Sequence, residues 1–572
     1  MGHLFRALGA ALLLALLLAP ARVLAHASLA QSEPAAGAVL SSPPRELILD
    51  FTEALDPEFS KVELFDSAMR RINDGPGLID PALPTRLRLA LADLPQGSYT
   101  ALWRVRSAVD GHVTEGNVPF GIGVAPPEIG LLPPPGTPPP ASAPPPPLDS
   151  ALRWLCLLAV TLMLGGLPFG LFVQLPLVRS GGQAAAVSET QHSKLKTQHV
   201  ILAGGALLLV ATPLFLLSQA AEAAGVGLAQ ALGAPLADLL RGRTGLLGLA
   251  RMALTLLIIG LAWRLPPVER APGRWRLLLA LGAALLLTFS LASHAAAQPS
   301  GAVLALLVDW LHLAALVGWL GGLPALLGAL LAARASPGAP PVGPLVARFS
   351  RLALAAVAAL ALTGTFSAFQ HIGSAEQLTG TTYGRALLVK LGLFGLLLAL
   401  AGVNLLILSP RLRGQANAGA AVRALGRTVP TELLLGAAAL LAVGVMTSVA
   451  PSVAAWEQQR QQGVVQEARL GDVDLLLRVA PGVIGGNAFA VDVRDRRPGA
   501  EVTPGKVLLR FGMVGMEMGQ LQAEAAPAGE GRYVARGSYA AMGGRWNLLV
   551  ILRRDGFDDI EHTFEFDLTR RG

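Results

Sequence analysis

Cysteine is nearly absent from this 572-residue chain: Cys156 is the only one, and it lies inside an apolar run. A disulfide framework and a cysteine zinc site are both excluded, so any metal must be held by His, Asp, Glu or Met. Charge is scarce too, at 15% of residues against 53% apolar, a balance that suits a chain with several membrane spans better than a soluble domain. The net charge of +7 is scattered between apolar segments rather than gathered on one face, which argues against nucleic acid as a partner. There is no Walker A loop and no Asp-Lys-Thr-Gly phosphorylation motif, so the chain is not expected to hydrolyse ATP directly.

What is present divides into blocks. A short basic start (1–6), an apolar run (7–19) too brief for an ordinary span and a small-residue exit at Val23-Leu24-Ala25 read as a signal peptide over 1–25. Cleavage after Ala25 makes His26 the first residue of the mature chain, where amine and imidazole can bind one metal together. Residues 26–124 carry short β runs near 46–52, 61–66, 86–91, 98–106 and 117–124, separated by Pro, Gly and Asp turns, which predicts a small all-β sandwich or barrel. Proline dominates 125–148, an extended spacer.

Eight apolar segments follow, near 151–178, 198–221, 245–264, 275–297, 302–333, 349–371, 385–408 and 431–451, within a membrane domain set at 149–452. The fifth is long and must tilt or overhang. If the first domain is exported, the inner loops and their edges carry Arg179, Lys194 and Lys196, then Arg264, Arg270, Arg274 and Arg276, then Arg334, Arg348 and Arg351, then Arg411, Arg413, Arg423 and Arg427. The outer loops carry Arg241, Arg243 and Arg385. That asymmetry places both mature termini outside the bacterial inner membrane. After a linker at 453–469, residues 470–572 return to β runs near 473–479, 488–494, 507–513, 533–539, 546–552 and 562–568. The expected fold class is thus an eight-span helical membrane domain flanked by two exported all-β domains, the second a β sandwich.

In the first β domain, Ser107-Ala-Val-Asp-Gly-His112 closes a strand, and Asp110 and His112, two apart, project to one side of an extended segment. With His26 they offer an amine, two imidazoles and a carboxylate, a sulfur-free set that favours tetragonal Cu(II) over tetrahedral zinc. Asp-Gly is also an ordinary turn, and the predicted terminal histidine is what adds specificity. The domain resembles the CopC family of periplasmic copper-binding proteins over 26–124, through His26-Ala27, Glu33-Pro34-Ala-Ala-Gly37, the 47–51 strand, and Ser107-x-x-Asp110-Gly111-His112 followed by Gly116 and Phe120. The resemblance implies a cupredoxin-like β barrel in which His26, Asp110 and His112 hold Cu(II). A Met-rich Cu(I) site found in some members is not carried over, because Met69 stands alone here.

In the membrane domain His294 is placed at the outer end of the fourth span, Asp309 and His312 share a helix face at the start of the fifth, and His371 ends the sixth at the same level. Ionisable residues at such depth are costly unless paired, hydrated or liganded, so these four form a candidate intake site for copper beneath the tethered domain. The plainer reading is hydrogen bonding at the interface. Lys390 can snorkel outward, Arg251 and Asn404 can pair between helices, and Met163, Met252 and Met446 read as packing. The segment is similar to the CopD family over roughly 150–450, through Ser293-His294-Ala295, Asp309-x-x-His312 with Trp319-Leu-Gly-Gly322, Arg348-Phe-Ser350, and Tyr383-Gly384 with Lys390. That resemblance implies copper movement across the inner membrane, most often uptake.

In the last domain Met513, Met516 and Met518 fall within six residues and Met542 precedes Gly-Gly-Arg-Trp546, a soft set suited to Cu(I). It resembles the YtkA/FixH-like domains that accompany CopD-type proteins.

The leading expectation is a non-enzymatic copper transporter serving copper homeostasis and resistance, with Cu(II) bound by the first domain and Cu(I) the candidate species in the membrane and C-terminal domains. Its partners would be copper ions, the lipid bilayer, and periplasmic copper chaperones or cuproenzyme assembly factors. The alternative is a membrane-anchored copper-buffering or delivery protein that moves no metal. A third class, a copper oxygenase or a haem redox protein, is disfavoured because Asp110 adds a metal position and the membrane histidines gather toward one face.

Overall fold

The computed structural model describes residues 27–68, 70–124, 144–180, 197–297, 301–335, 342–412, 418–461, 463–480, 482, 485–496, 504–514, 516–528, 531–540, 542, 544–554 and 558–568. The expected signal peptide, His26 and most of the proline-rich spacer lie outside the described residues.

The head consists of β1 (Leu29–Glu33), β2 (Ala38–Leu40), β3 (Glu46–Phe51), β4 (Lys61–Asp66), β5 (Leu78–Asp80), β6 (Leu83–Ala90), β7 (Gly97–Arg106) and β8 (Val113–Ile122). They form two four-stranded sheets, ordered β1-β3-β6-β5 and β2-β8-β7-β4. Strict alternation in Glu46–Phe51 sends Leu47, Leu49 and Phe51 into the core between the sheets, where Phe51 meets Trp103 edge to face. The three strands that the sequence reading passes over are the short ones, β1, β2 and β5, whose burial patterns show no clear alternation.

Among the described residues, eight helices are long and apolar enough to cross a membrane: Pro147–Arg179, Thr197–Ala224, Arg243–Ala262, Pro272–Ser290, Ala302–Arg334, Gly343–His371, Thr382–Arg411 and Ala418–Thr447. They are called here the first to eighth spans. The first is the most enclosed, and the seventh, with Leu388, Val389, Leu391 and Leu396 exposed, the least. An apolar face of that kind is stable against lipid, not water.

Close packing at the centre depends on glycine. A Cβ on Gly165 of the first span would stand 2.0 Å from the backbone of Gly321, and one on Gly322 would stand 2.7 Å from the Phe349 ring. The Trp319-Leu-Gly-Gly322 motif therefore brings the fifth span against the first and sixth. The fifth span is interrupted: helix Ala302–Trp319 gives way to a tight 3-10 turn, Leu320–Gly322, before helix Leu323–Ala335. The eighth span starts at Ala418, well before the predicted 431, because Arg423, Arg427 and Pro430 lower the apparent apolarity of a segment that is helical throughout.

The tail comprises β9 (Val464–Leu470), β10 (Val473–Ala480), β11 (Gly485–Asp495), β12 (Lys506–Met513), β13 (Met516–Pro527), β14 (Arg532–Ala540), β15 (Gly544–Arg553) and β16 (Ile560–Leu568). Their order is β16-β15-β12-β13-β14-β11-β10-β9. Strand β13 pairs with β12 along most of its length and with β14 only at Ala526 and Pro527, so it passes from one half of the sheet to the other. The two halves enclose one core, and Gln466 of β9 donates to the Glu565 carbonyl of β16 across the opposite side.

Candidate metal centre

The six residues 107–112 join β7 to β8 and are held rigidly. Ser107 accepts the amide protons of Val109 and Asp110 on its Oγ and donates to Glu53 Oε2 at 2.6 Å, while the Ser107 amide donates to the His112 carbonyl. Gly111 sits at φ +80°, a left-handed conformation that carries the chain around between the two candidate ligands. The His112 amide donates to Asp110 Oδ1 at 3.0 Å, leaving Oδ2 to face the His112 ring at 3.4 Å.

The third group comes from the membrane domain. His294 lies in a 3-10 turn, His294–Ala297, just beyond the fourth span rather than at its last residue, and its Nδ1 is 2.9 Å from Asp110 Oδ2. The His112 and His294 rings stack with centroids 5.1 Å apart, and ligand atoms of Asp110, His112 and His294 all fall within 4.8 Å of one another. From the sequence alone, a head site and a membrane site are expected one above the other. In the structure Asp110 and His112 share their cluster with His294. His26 lies outside the described residues, but its neighbour Ala27 is buried and accepts from Thr114 Oγ1 at 2.6 Å, two residues beyond His112.

Below this cluster the His371 ring is 6.2 Å from that of His294, and the Tyr383 ring follows at 5.9 Å. The Ser367 carbonyl accepts from His371 Nδ1 at 2.7 Å, which makes Nδ1 the protonated nitrogen and leaves the lone pair of the neutral ring on Nε2. Asp309 accepts from Ser293 at 3.3 Å, one residue before His294, and lies within electrostatic reach of Lys390. His312 does not share that level: its Nδ1 meets Thr363 Oγ1 at 2.8 Å, two helical turns below His371. Thr363 already donates to the Ala359 carbonyl, so His312 is the donor here and its Nε2 too is left as the acceptor.

Residues outside any ligand list hold the two domains in register. Arg104 donates to the carbonyls of Glu222 and Ala223, in the last turn of the second span, at 2.7 and 2.5 Å. Arg106, 1% exposed, donates to Asp56 at 2.7 Å and to Thr244 of the third span at 3.2 Å. Burial pushes the Arg106 guanidinium below its ordinary pKa, and the Asp56 carboxylate opposes that shift. Phe59 of the head packs into a cluster with Leu216, Ala220 and Leu239 of the membrane domain. No motif marks Arg104 or Arg106. The only signal in the sequence is a charge on each of two alternate positions near the end of a strand that carries no other charge.

Elsewhere, Arg251 and Asn404 do bond between helices: Arg251 to Thr288, with its guanidinium 3.7 Å from the Phe289 ring centroid, and Asn404 to Glu432. In the tail Met513 and Met516 stand opposite each other across β12 and β13, and the Met513 methyl lies against Gly544. Met542 is 40% exposed and its carbonyl accepts from Trp546. The side chains of Met516 and Met518 lie outside the described residues.

Comparison with known proteins yields three family matches: CopC domain over residues 29–123, Copper resistance protein D-like, N-terminal domain over 146–304, and Copper resistance protein D over 343–446. The copper transport protein CutJ of Bacillus subtilis (strain 168) is 29% identical over 491 residues, covering 85% of this chain and 84% of CutJ. Protein YobA of Escherichia coli (strain K12) is 35% identical over 101 residues, 18% of this chain and 81% of YobA. The crystal structure of CopC from Methylosinus trichosporium OB3b aligns with 17% of this chain and 93% of its own at 29% identity, with a TM-score of 0.16.

Proposed function

This chain belongs to the CopC and CopD copper resistance families, both carried in one polypeptide, and from that premise we propose that it takes up copper across the inner membrane by handing the ion from its head directly to its bundle. Copper handling and a membrane-embedded domain follow from the family and the eight spans. The transfer route is the further step, and the observation that carries it is the 2.9 Å contact between Asp110 of the head and His294 of the bundle.

On this reading Cu(II) is bound outside the membrane by His26, Asp110 and His112, and His294 adds or exchanges one imidazole. A bound divalent ion would displace the proton that His294 and Asp110 share, so each ligand exchange keeps the buried carboxylate compensated. His371, Asp309 and His312 then offer successive donors toward the interior. The Met513, Met516, Met518 and Met542 set is proposed as a separate Cu(I) site on the tail, on the same outer side. The name of CutJ, a copper transport protein matched over most of both chains, supports transport over buffering.

Proteoliposomes containing the full chain test the proposal. Copper should accumulate in the lumen with wild-type protein, and His294→Ala and the triple variant Asp309→Ala, His294→Ala, His312→Ala should abolish accumulation. Binding without accumulation in the wild type would instead establish a buffering or delivery protein.

A further inference from the structure

We infer that Glu432, buried in the eighth span, is a proton-carrying site that releases and regains a proton as the bundle moves copper. Its coupling to copper rests on the transport reading above; its protonation does not.

Glu432 is 3% exposed and lies near the middle of helix Ala418–Thr447, at the start of the apolar stretch of the eighth span. Its Oε1 accepts from Asn404 Nδ2 of the seventh span at 2.7 Å, and Asn404 Oδ1 accepts from Thr428 Oγ1 at 2.8 Å. Both helices are irregular at this level. Asn404 begins a π-turn, Asn404–Leu408, and Pro430, two residues before Glu432, contributes no N–H to its own helix. π-turns inside spans recur at functional positions, and irregular backbone at membrane depth is stable only where protein or water satisfies it.

No cation among the described residues pairs with this carboxyl. The first span brings Asp149 and Arg153, which bond to each other at the head end, and the seventh brings Lys390, which faces Asp309. Arg334 lies against Gly426, nearer the far end, where Arg411, Arg423 and Arg427 are also found. Among the described residues Glu432 makes no ion pair, and its one charge-relevant neighbour is the Asn404 amide. An ionised carboxylate so placed is strongly disfavoured, so the resting group is the neutral acid. A carboxyl, an amide and a hydroxyl also lack the imidazole or thioether that copper would select, so the exchangeable ion is the proton.

The step balances without a redox partner. The carboxyl O–H bond breaks, the electron pair stays on the carboxylate, and the proton leaves to water at the far end. The negative charge so formed offsets a copper cation in the same low-dielectric bundle, and reprotonation restores the resting state.

The test uses the full chain and its isosteric variant Glu432→Gln, which retains an oxygen to accept from Asn404 and so preserves the hydrogen bond. Infrared difference spectra should show a protonated-carboxyl stretch at neutral pH that is missing in Glu432→Gln and diminished when copper is added to the wild type. In proteoliposomes with an internal pH dye, copper should drive a proton movement that is lost in Glu432→Gln and kept in Glu432→Asp. If uptake proceeds while the variant loses no band, Glu432 is ionised and the proton site is overturned. A band indifferent to copper overturns the coupling. Vesicles that take up no copper overturn the transport reading and the coupling together, and the band still decides the protonation.

Discussion

The guanidinium of Arg104 reaches from strand β7 of the head to the carbonyl oxygen of Ala223 at the end of the second span, 2.5 Å away, and so joins two domains separated in sequence by the proline-rich spacer over 125–148. That contact and its partner at Glu222 fix where the 107–112 loop sits above the bundle. Losing both charge-assisted bonds in Arg104→Ala should weaken docking by about 1–3 kcal/mol, without unfolding either domain. Hydrogen exchange is the readout: protection should fall in 107–112 and 219–225 while β3 and β6 stay protected. Unchanged exchange in both segments would mean that Arg104 does not hold the head in place.

The contact between Gly165 and Gly321 makes a second, purely steric prediction. An alanine methyl at 165 has backbone atoms 2.0 Å away and nothing flexible to move aside, so the first and fifth spans must separate. Overpacking of this kind costs about 1–3 kcal/mol and often more. Gly165→Ala should lower the thermal transition of the detergent-solubilised chain, whereas Gly260→Ala, with open space around it, should not.

The methionines of the tail give a third. Met→Leu changes at 513, 516 and 518 conserve volume and should cost under about 1.5 kcal/mol each. If the thioethers bind Cu(I), the triple variant should lose the ability to compete with a chromophoric Cu(I) chelator while its β-sheet circular dichroism stays the same. Equal competition by variant and wild type would assign these residues to packing.

The sequence made the architecture legible because both of its periods are strong. Alternation in Glu46–Phe51 and long apolar runs such as that within Thr197–Ala224 leave little choice of structure. Strand β13 escaped notice because Met516–Pro527 is rich in Glu, Gln, Ala and Gly, residues of low strand propensity that are held there by pairing with β12. The site was legible residue by residue, but not as a unit. Asp110 and His294 are 184 positions apart, and their meeting depends on how Arg104, Arg106 and Phe59 seat the head, a packing event with no local signature. Part of the CopD-like pattern proved to be packing: Gly321 and Gly322 are close-approach positions, and Phe349 fills the space beside them.

The most direct measurement is Cu(II) electron paramagnetic resonance on the full chain, wild type against His294→Ala, with a parallel titration. A shared centre predicts one fewer coupled nitrogen in the variant and an affinity lower by at least about 10- to 100-fold, the range already seen when only a ligand's supporting partner is removed. Identical spectra and identical affinity would contradict it, leaving the head to bind copper alone and the bundle without a direct hand in its capture.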